Sequence, residues 1–240
     1  MHPRENLRFL PMKAARTAEQ QETDFMRPTD HLRSLAGDDW IAATTHPFCT
    51  ELADGTLPLD KMRWYLAQDY QFVGNFVRLL ASAIAHAPTL ADSVPAAQFL
   101  ALVTGPENTY FLRSFEALGM DEAAQNAPPA PPTEGFNALM AEAAASGRYE
   151  LMLAVLVVAE WVYLSWATPV NPPKEELPFY FAEWITLHAG EGFEGVVEYL
   201  RGQLDITWDS LSDTARSEVE TMFLRAAKLE RAFWDASYAA

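Results

Sequence analysis

The sequence predicts an all-α protein, a helical bundle in one domain, and three observations indicate its helical character. Apolar residues recur at steps of three and four along most of the chain, strand-like alternation is nearly absent, and Pro-rich segments separate the helical stretches. The 240 residues, 50% of them hydrophobic, suffice for one sizeable core. We expect residues 29–240 to form the helical domain and residues 1–28 to be an arm outside its core. A ligand pocket would then lie between helices.

The longest predicted helix covers residues 59–87. Asp60 lies near its start, where the helix dipole favours a negative charge, and Pro88 marks its end. One apolar stripe follows its length, formed by Met62, Tyr65, Leu66, Tyr70, Val73, Val77, Leu80 and Ile84.

Seven further helices are predicted from the same spacing. Two Pro-rich breaks, at 126–135 and 168–178, separate some of them, and Ser212 offers an N-cap for the last. The predicted ranges are 31–53, 92–118, 134–146, 149–167, 176–188, 191–204 and 212–238.

The charge and cysteine content narrow the function classes. The chain has 33 acidic and 17 basic residues, a formal net charge of −16, which disfavours binding to nucleic acid or anionic lipid. Cys49 is the only cysteine, which fits a reducing cytoplasm, and it is expected to be a small core residue. The longest uncharged run, Leu151 to Ala159, is far shorter than the roughly 20 residues of a membrane span, so no membrane association is expected.

One carboxylate stands in an unusually apolar helix. In AVLVVAEWVYLSW, residues 154–166, Glu160 is flanked on both sides by uncharged residues, and Tyr163 follows on the same face. Burying an ionised carboxylate is costly unless partners hold it. We therefore expect Glu160 to line a cavity.

Other polar residues interrupt apolar helix faces less decisively. Asp69 could face outward, and Glu230 could form a surface pair with Lys228 or Arg231. His188 alone is more often a packed surface histidine than a catalyst. No Glu-x-x-His, HExxH, CxxC, Gly-rich phosphate loop or GxSxG motif occurs, so metal, nucleotide and serine-hydrolase sites lose support.

Taken in order, two segments resemble a known family. WIAATTHPFCTELADGTLPLDKMRWYLAQDY, residues 40–70, resembles the N-terminal pattern of the TenA family (thiaminase II, or aminopyrimidine aminohydrolase). FLRAAKLERAFWDASY, residues 223–238, resembles the family's C-terminal segment. The resemblance covers about residues 30–238.

The resemblance implies a heme-oxygenase-like bundle without haem, metal or other cofactor, assembled as a homo-oligomer, usually a tetramer. It also implies a pocket for a 4-amino-2-methylpyrimidine with a substituted methyl group at C5. The implied reaction removes that substituent and gives hydroxymethylpyrimidine for thiamin salvage.

The family's site residues carry over unevenly. In the resemblance, Asp69 matches the aspartate that binds the pyrimidine edge, Glu230 the C-terminal catalytic glutamate, and Tyr163 the tyrosine that follows the family's usual cysteine by four residues. Ala159 occupies the position of the family's cysteine. Two positions that are tyrosine in many members are changed, to Phe72 and His188.

A subclass lacking the cysteine has a Glu-x-x-Tyr followed by Ser-Trp, and EWVYLSW resembles it. Glu160 and Glu230 are then the expected catalytic acid and base, with their individual roles unassigned. The ring is expected to be bound by Asp69, Tyr163 and His188 and stacked by aromatic residues such as Trp40, Tyr70 and Phe72.

Three alternatives stay open at this point. The nearest is an oxidase on the same scaffold, of the pyrroloquinoline-quinone-synthase or di-iron type. A non-catalytic pyrimidine-binding protein and a regulatory protein are the others.

Overall fold

The computed structural model describes residues 26–240, and in that part of the chain all regular structure is helical. The predicted arm, residues 1–28, falls outside the described residues except for its last three. Pro28 already begins the first helix, and Arg27 is paired with Asp205 at 2.7 Å. The α-helices are α1 Pro28–Thr44, α2 Pro47–Asp54, α3 Leu59–His86, α4 Leu90–Leu102, α5 Asn108–Ala117, α6 Glu122–Gln125, α7 Pro131–Ala145, α8 Tyr149–Ala167, α9 Phe179–Leu187, α10 Glu191–Trp208 and α11 Asp213–Ala239.

Helix α8 is the centre of the bundle. It packs against α1, α3, α7, α10 and α11, and it is apolar on all faces, as expected of a helix enclosed by others. The stretch Tyr149–Val170 is long and apolar enough to cross a membrane, but 83% of its most apolar window is buried inside the protein. The helix is therefore the core of this fold, and truncating one of its buried Leu residues to Ala would cost about 2–5 kcal/mol.

Helix α3 confirms the predicted apolar stripe. Met62, Tyr65, Leu66 and Leu80 are buried, and the helix begins and ends within one residue of the predicted limits. The prediction of Ser212 as an N-cap is also confirmed, since its side chain accepts a hydrogen bond from the backbone N–H of Ala215.

Two predicted helices are divided in the structure. The predicted helix 31–53 is α1 and α2, because the chain leaves the helix at Thr45 and restarts at Pro47, where the side chain of His46 caps the backbone N–H of Phe48. The predicted helix 92–118 is α4 and α5, joined by a π-helical turn, Val103–Glu107. Pro106 lies in that turn and has no N–H to donate to the preceding turn, which accounts for the wider winding.

The Pro-rich segment 126–135 is fastened to α3. Gln68 accepts hydrogen bonds from the Ala130 N–H and the Thr133 hydroxyl and donates to the Pro128 carbonyl. Gln68 therefore has a structural role, because its amide group holds this segment against α3. Within the described residues, its neighbour Asp69 makes no hydrogen bond to the segment.

Candidate active site

A small cavity lies between α3, α8, α9 and the π-helical turn. Its volume is about 30 Å³. Four of its lining residues come from one face of α3, where the sequence steps of three, one and three keep the side chains together. The lining residues are Asp69, Phe72, Val73, Phe76, Val103, Glu107, Ala159, Glu160, Tyr163, Trp184 and His188.

Three carboxylic acids therefore meet at one cavity. Asp69 is 5% exposed and Glu160 is 9% exposed, whereas Glu107 is half-buried with its carboxyl group surrounded by protein. Within residues 26–240, Glu160 has no hydrogen bond that would stabilise its buried carboxyl group. Asp69 has only the nearby Tyr65 hydroxyl, which favours the Asp69 anion. Buried polar groups normally have partners. These acids are consequently suited to a ligand that supplies the missing hydrogen-bond partners.

Burial raises the pKa of all of these groups. It raises the pKa of Asp69 to about 7, with the Tyr65 hydroxyl opposing the rise. It raises the pKa of Glu107 to about 8, with help from the charge of Asp69. For Glu160, burial and then the charges of Glu107, Glu230 and Asp69 raise the pKa well above its usual value. The cavity therefore holds acids that are at least partly protonated at neutral pH.

Glu230 is buried close enough to the cavity to affect its acids. It is 3% exposed on α11 and does not line the cavity, but its charge raises the pKa of Glu160 and it feels the charge of Asp69 in turn. Within residues 26–240 it forms no ion pair, and the neighbouring Arg231 instead contacts Asp39 at 3.0 Å. Asp69, Glu160 and Glu230, which are far apart in the sequence, thus form one electrostatically coupled group.

Tyr163 and His188 complete the polar part of the wall. The Tyr163 hydroxyl is 2.8 Å from the hydroxyl of Tyr65. The Nδ1–H of His188 donates to the Trp184 carbonyl at 2.9 Å, which leaves Nε2 as an acceptor. Burial lowers the pKa of His188 to about 4, so the ring is neutral at pH 7.

Two of the residues expected to stack on the ring do not line the cavity. The Tyr70 hydroxyl donates to Asn108 at 3.0 Å, because one step along α3 from Asp69 turns the side chain toward α5. Trp40 packs against Trp161, with ring centroids 5.0 Å apart, on another side of α8. Both have structural positions, and of the three aromatic residues only Phe72 lies at the cavity.

Sequence reasoning missed Glu107. Glu107 follows Gly105 and Pro106 in a segment that was predicted as one continuous helix. The Gly-Pro dipeptide, which can interrupt a helix, is the only sequence signal that could have indicated it. The π-helical turn is what brings its carboxyl group to the cavity.

The single cysteine does not lie at this cavity. Cys49 is buried, lines a separate cavity with Trp166 and Ser165, and burial raises the pKa of its thiol, the opposite of what activates a nucleophile. Ala159 is the residue of α8 that lines the carboxylate cavity next to Glu160. In residues 26–240 no group of three or more His, Cys, Asp or Glu side chains has an arrangement that could hold a metal ion.

Comparison with known proteins agrees with the family resemblance seen in the sequence. The model of the TENA/THI-4/PQQC family matches residues 36–240. This chain belongs to that family. The TenA homologue of Pyrococcus horikoshii has a similar structure, with a TM-score of 0.77 and 23% identity over 89% of this chain and 99% of that one.

Relatives of known name cover most of the chain. An aminopyrimidine aminohydrolase of Halalkalibacterium halodurans is 27% identical over 202 residues, 83% of this TenA-family chain and 90% of the relative. The enzyme of the same name from Bacillus subtilis is 24% identical, over 89% of this chain and 90% of the relative. A heme oxygenase of Synechocystis has the same helical fold at 14% identity, with a TM-score of 0.55, covering 88% of this chain and 85% of that one. The expected heme-oxygenase-like fold is confirmed.

Proposed function

We propose that this protein hydrolyses 4-amino-2-methylpyrimidines that carry an aminomethyl or formylaminomethyl group at C5, giving hydroxymethylpyrimidine for thiamin salvage. The observation that carries the proposal is the meeting of Asp69 and Glu160 at one buried cavity, with Glu230 coupled to both. The family and the names of the relatives from Halalkalibacterium and Bacillus support it.

Asp69 suits the role of ring anchor. A buried carboxylate accepts hydrogen bonds strongly, and an aminopyrimidine presents an exocyclic amino group beside a ring nitrogen. Because the pKa of Asp69 is about 7, a proton can be shared between this carboxyl and the ring nitrogen. Phe72 offers an apolar face for the ring, and His188 a neutral acceptor.

The two glutamates divide the proton transfers. Glu160 lines the cavity, and burial together with the charges of three other acids raises its pKa, so it is suited to donate a proton to the leaving nitrogen. Burial raises the pKa of Glu230 as well, and Glu230 takes the proton of the attacking water in its ionised form. The carbon–nitrogen bond breaks as the nitrogen gains a proton, and the water oxygen joins the methylene carbon. No thiol takes part in this scheme, in keeping with Ala159 at the cavity and Cys49 elsewhere.

The cavity is smaller than its proposed ligand. A volume of about 30 Å³ has room for only one or a few water molecules, and a substituted pyrimidine is several times larger. Side chains of the wall must therefore move when the substrate binds, and the role proposed for Glu230 requires that this movement bring its carboxyl group within reach of the attacking water.

The activity is tested by incubating the purified protein with the aminomethyl and formylaminomethyl pyrimidines and measuring hydroxymethylpyrimidine by chromatography. Oxygen uptake and metal content measured on the same sample separate hydrolysis from an oxidase reaction. Tight binding of hydroxymethylpyrimidine without turnover of either substrate would instead indicate a binding protein.

We further propose that the protein works in the cytoplasm as a homo-oligomer, a tetramer or dimer. A single buried cysteine fits a reducing compartment. Light scattering coupled to size-exclusion chromatography measures the assembly directly.

A further inference from the structure

A second cavity adjoins the carboxylate cavity. Its volume is about 230 Å³, several times that of the first, and its wall is mostly apolar. The apolar side chains come from α4, α9, α10 and the π-helical turn, and they are Phe99, Leu102, Pro106, Leu187, Phe193 and Val196.

The two cavities share one wall. Glu107 lines both of them. At the end of α9, His188 lines the first cavity, while the next residue, Ala189, lines the second. The second cavity also reaches solvent, because Leu102 is 53% exposed and Gly192 is exposed. A ligand that occupies the first cavity therefore has adjoining space on the side of Glu107.

The chemistry of the second cavity favours an uncharged group. An ammonium ion placed among apolar side chains would lose its hydration without gaining partners. Glu107 retains its proton at neutral pH, since its pKa is about 8, and a protonated carboxyl can donate a hydrogen bond to a carbonyl oxygen. An amide with a short apolar chain meets both conditions, whereas a free amine meets neither.

We propose that the second cavity binds the substituent at C5 of the pyrimidine, so that the enzyme accepts N-acylaminomethyl pyrimidines whose acyl group is larger than formyl. This inference rests on the proposed function. The reaction is redox-neutral: water adds its oxygen to the methylene carbon, the carbon–nitrogen bond breaks, and the nitrogen takes a proton and leaves as the primary amide. Glu107 is a positioning residue here, holding the acyl oxygen at the boundary between the cavities.

Two glycines of α10 provide a matched test. A Cβ added at Gly192 or at Gly195 meets no atom within 4 Å, and both residues are exposed, but only Gly192 lines the second cavity. Gly192→Leu would place a side chain in the space proposed for the acyl group. Gly195→Leu makes the same exchange on the same helix, with the same gain in helix propensity, away from the cavity.

The experiment measures kcat/KM for the aminomethyl, formylaminomethyl and butyrylaminomethyl pyrimidines with the wild type and both variants. We expect the wild type to hydrolyse the butyryl compound at a rate within about tenfold of the formyl compound. Gly192→Leu should lower the ratio of butyryl to formyl kcat/KM by about tenfold or more, the usual effect of filling an apolar subsite. Gly195→Leu should leave that ratio at its wild-type value.

The other possible outcomes would contradict either the acyl subsite or the proposed function. Hydrolysis of the aminomethyl or formyl compound without measurable hydrolysis of the butyryl compound overturns the acyl subsite alone. Equal ratios in the two glycine variants overturn it as well. If the wild type hydrolyses none of the three compounds, the proposed function fails and the subsite fails with it. In Glu107→Gln, KM for the butyryl compound should change more than kcat, which a purely structural role would not produce.

Discussion

Replacing Glu160 by Gln tests the proposed chemistry at its centre. The substitution keeps the size of the side chain and its ability to hydrogen-bond, but it removes the proton that the acid would donate. General acid–base catalysis by one side chain contributes about 10²- to 10⁴-fold. At about 1.4 kcal/mol for each factor of ten, the loss corresponds to roughly 3–5 kcal/mol of transition-state stabilisation. We expect kcat for the aminomethyl pyrimidine to fall by at least 10²-fold.

The same variant should lose less stability than the wild type as pH rises. Glu160 has a raised pKa in the folded state because it is buried near other acids. A group of this kind contributes stability below its unfolded pKa, about 4.5, and that contribution is lost as pH rises toward the folded pKa. The amide has no such pH dependence. Tm measured at pH 5 and pH 8 should therefore fall less in Glu160→Gln than in the wild type.

A control on the same helix separates chemistry from folding. Glu150 lies in the first turn of α8, is paired with Arg148 at 2.7 Å and does not line the carboxylate cavity. Glu150→Gln should retain kcat within about twofold. Product formation followed by chromatography, with circular dichroism to verify folding, gives the comparison. A folded Glu160→Gln protein with kcat within threefold of the wild type would refute the role of Glu160 as proton donor.

Three further predictions concern the neighbouring residues. Asp69→Asn should lower kcat/KM by about 10- to 100-fold and weaken binding of hydroxymethylpyrimidine in calorimetry, because the ring loses a charged acceptor; Asp60→Asn, exposed on the same helix, is the control, and equal affinities in the two variants would contradict the role of Asp69 as ring anchor. Glu107→Gln should reduce the loss of stability between pH 6.5 and pH 8 by roughly 1–2 kcal/mol, because a pKa raised from 4.5 to about 8 makes the wild type lose stability as pH rises through that window. His188, with its pKa lowered to about 4, loses its own contribution only as pH falls below 6.5, so urea titrations above that pH report on the acids. An unchanged pH dependence in Glu107→Gln would argue against the burial of Glu107. Tyr163→Phe removes the 2.8 Å hydrogen bond to Tyr65 and should cost about 1 kcal/mol of stability and lower kcat; a variant as stable and active as the wild type would show that this hydrogen bond contributes nothing measurable.

The helical fold could be predicted from the sequence because its signals are local. The apolar stripe of α3, the continuous apolar run of α8 and the cap at Ser212 each follow from spacing within a few residues. Glu160 was predicted to line a cavity for the same reason. Its apolar flanks left little chance that it faced water, and the structure places it 9% exposed at the cavity wall.

The breaks within the predicted helices were harder to predict from the sequence. The division at Thr45 and the π-helical turn at Val103–Glu107 depend on how neighbouring segments pack, and a pattern of apolar residues continues across both. Glu107 was missed because its position depends on that turn. Tyr70 shows the converse: it belongs to the motif that resembles the TenA family, yet one residue of rotation around α3 turns it away from Asp69 and toward Asn108.

Local sequence patterns are enough to predict that the chain is a helical bundle and that Glu160 is buried, and they show that residues of α3 and α11 resemble the site of the TenA family. Long-range packing sets which of those residues meet, brings Glu107 to them, and leaves a larger apolar cavity beside the first. The two kinds of feature differ in the range of the contacts that produce them. Helix formation and burial follow from contacts between residues three or four apart, whereas a pocket is formed by side chains from four elements whose relative rotation and breaks are set by packing of the whole core.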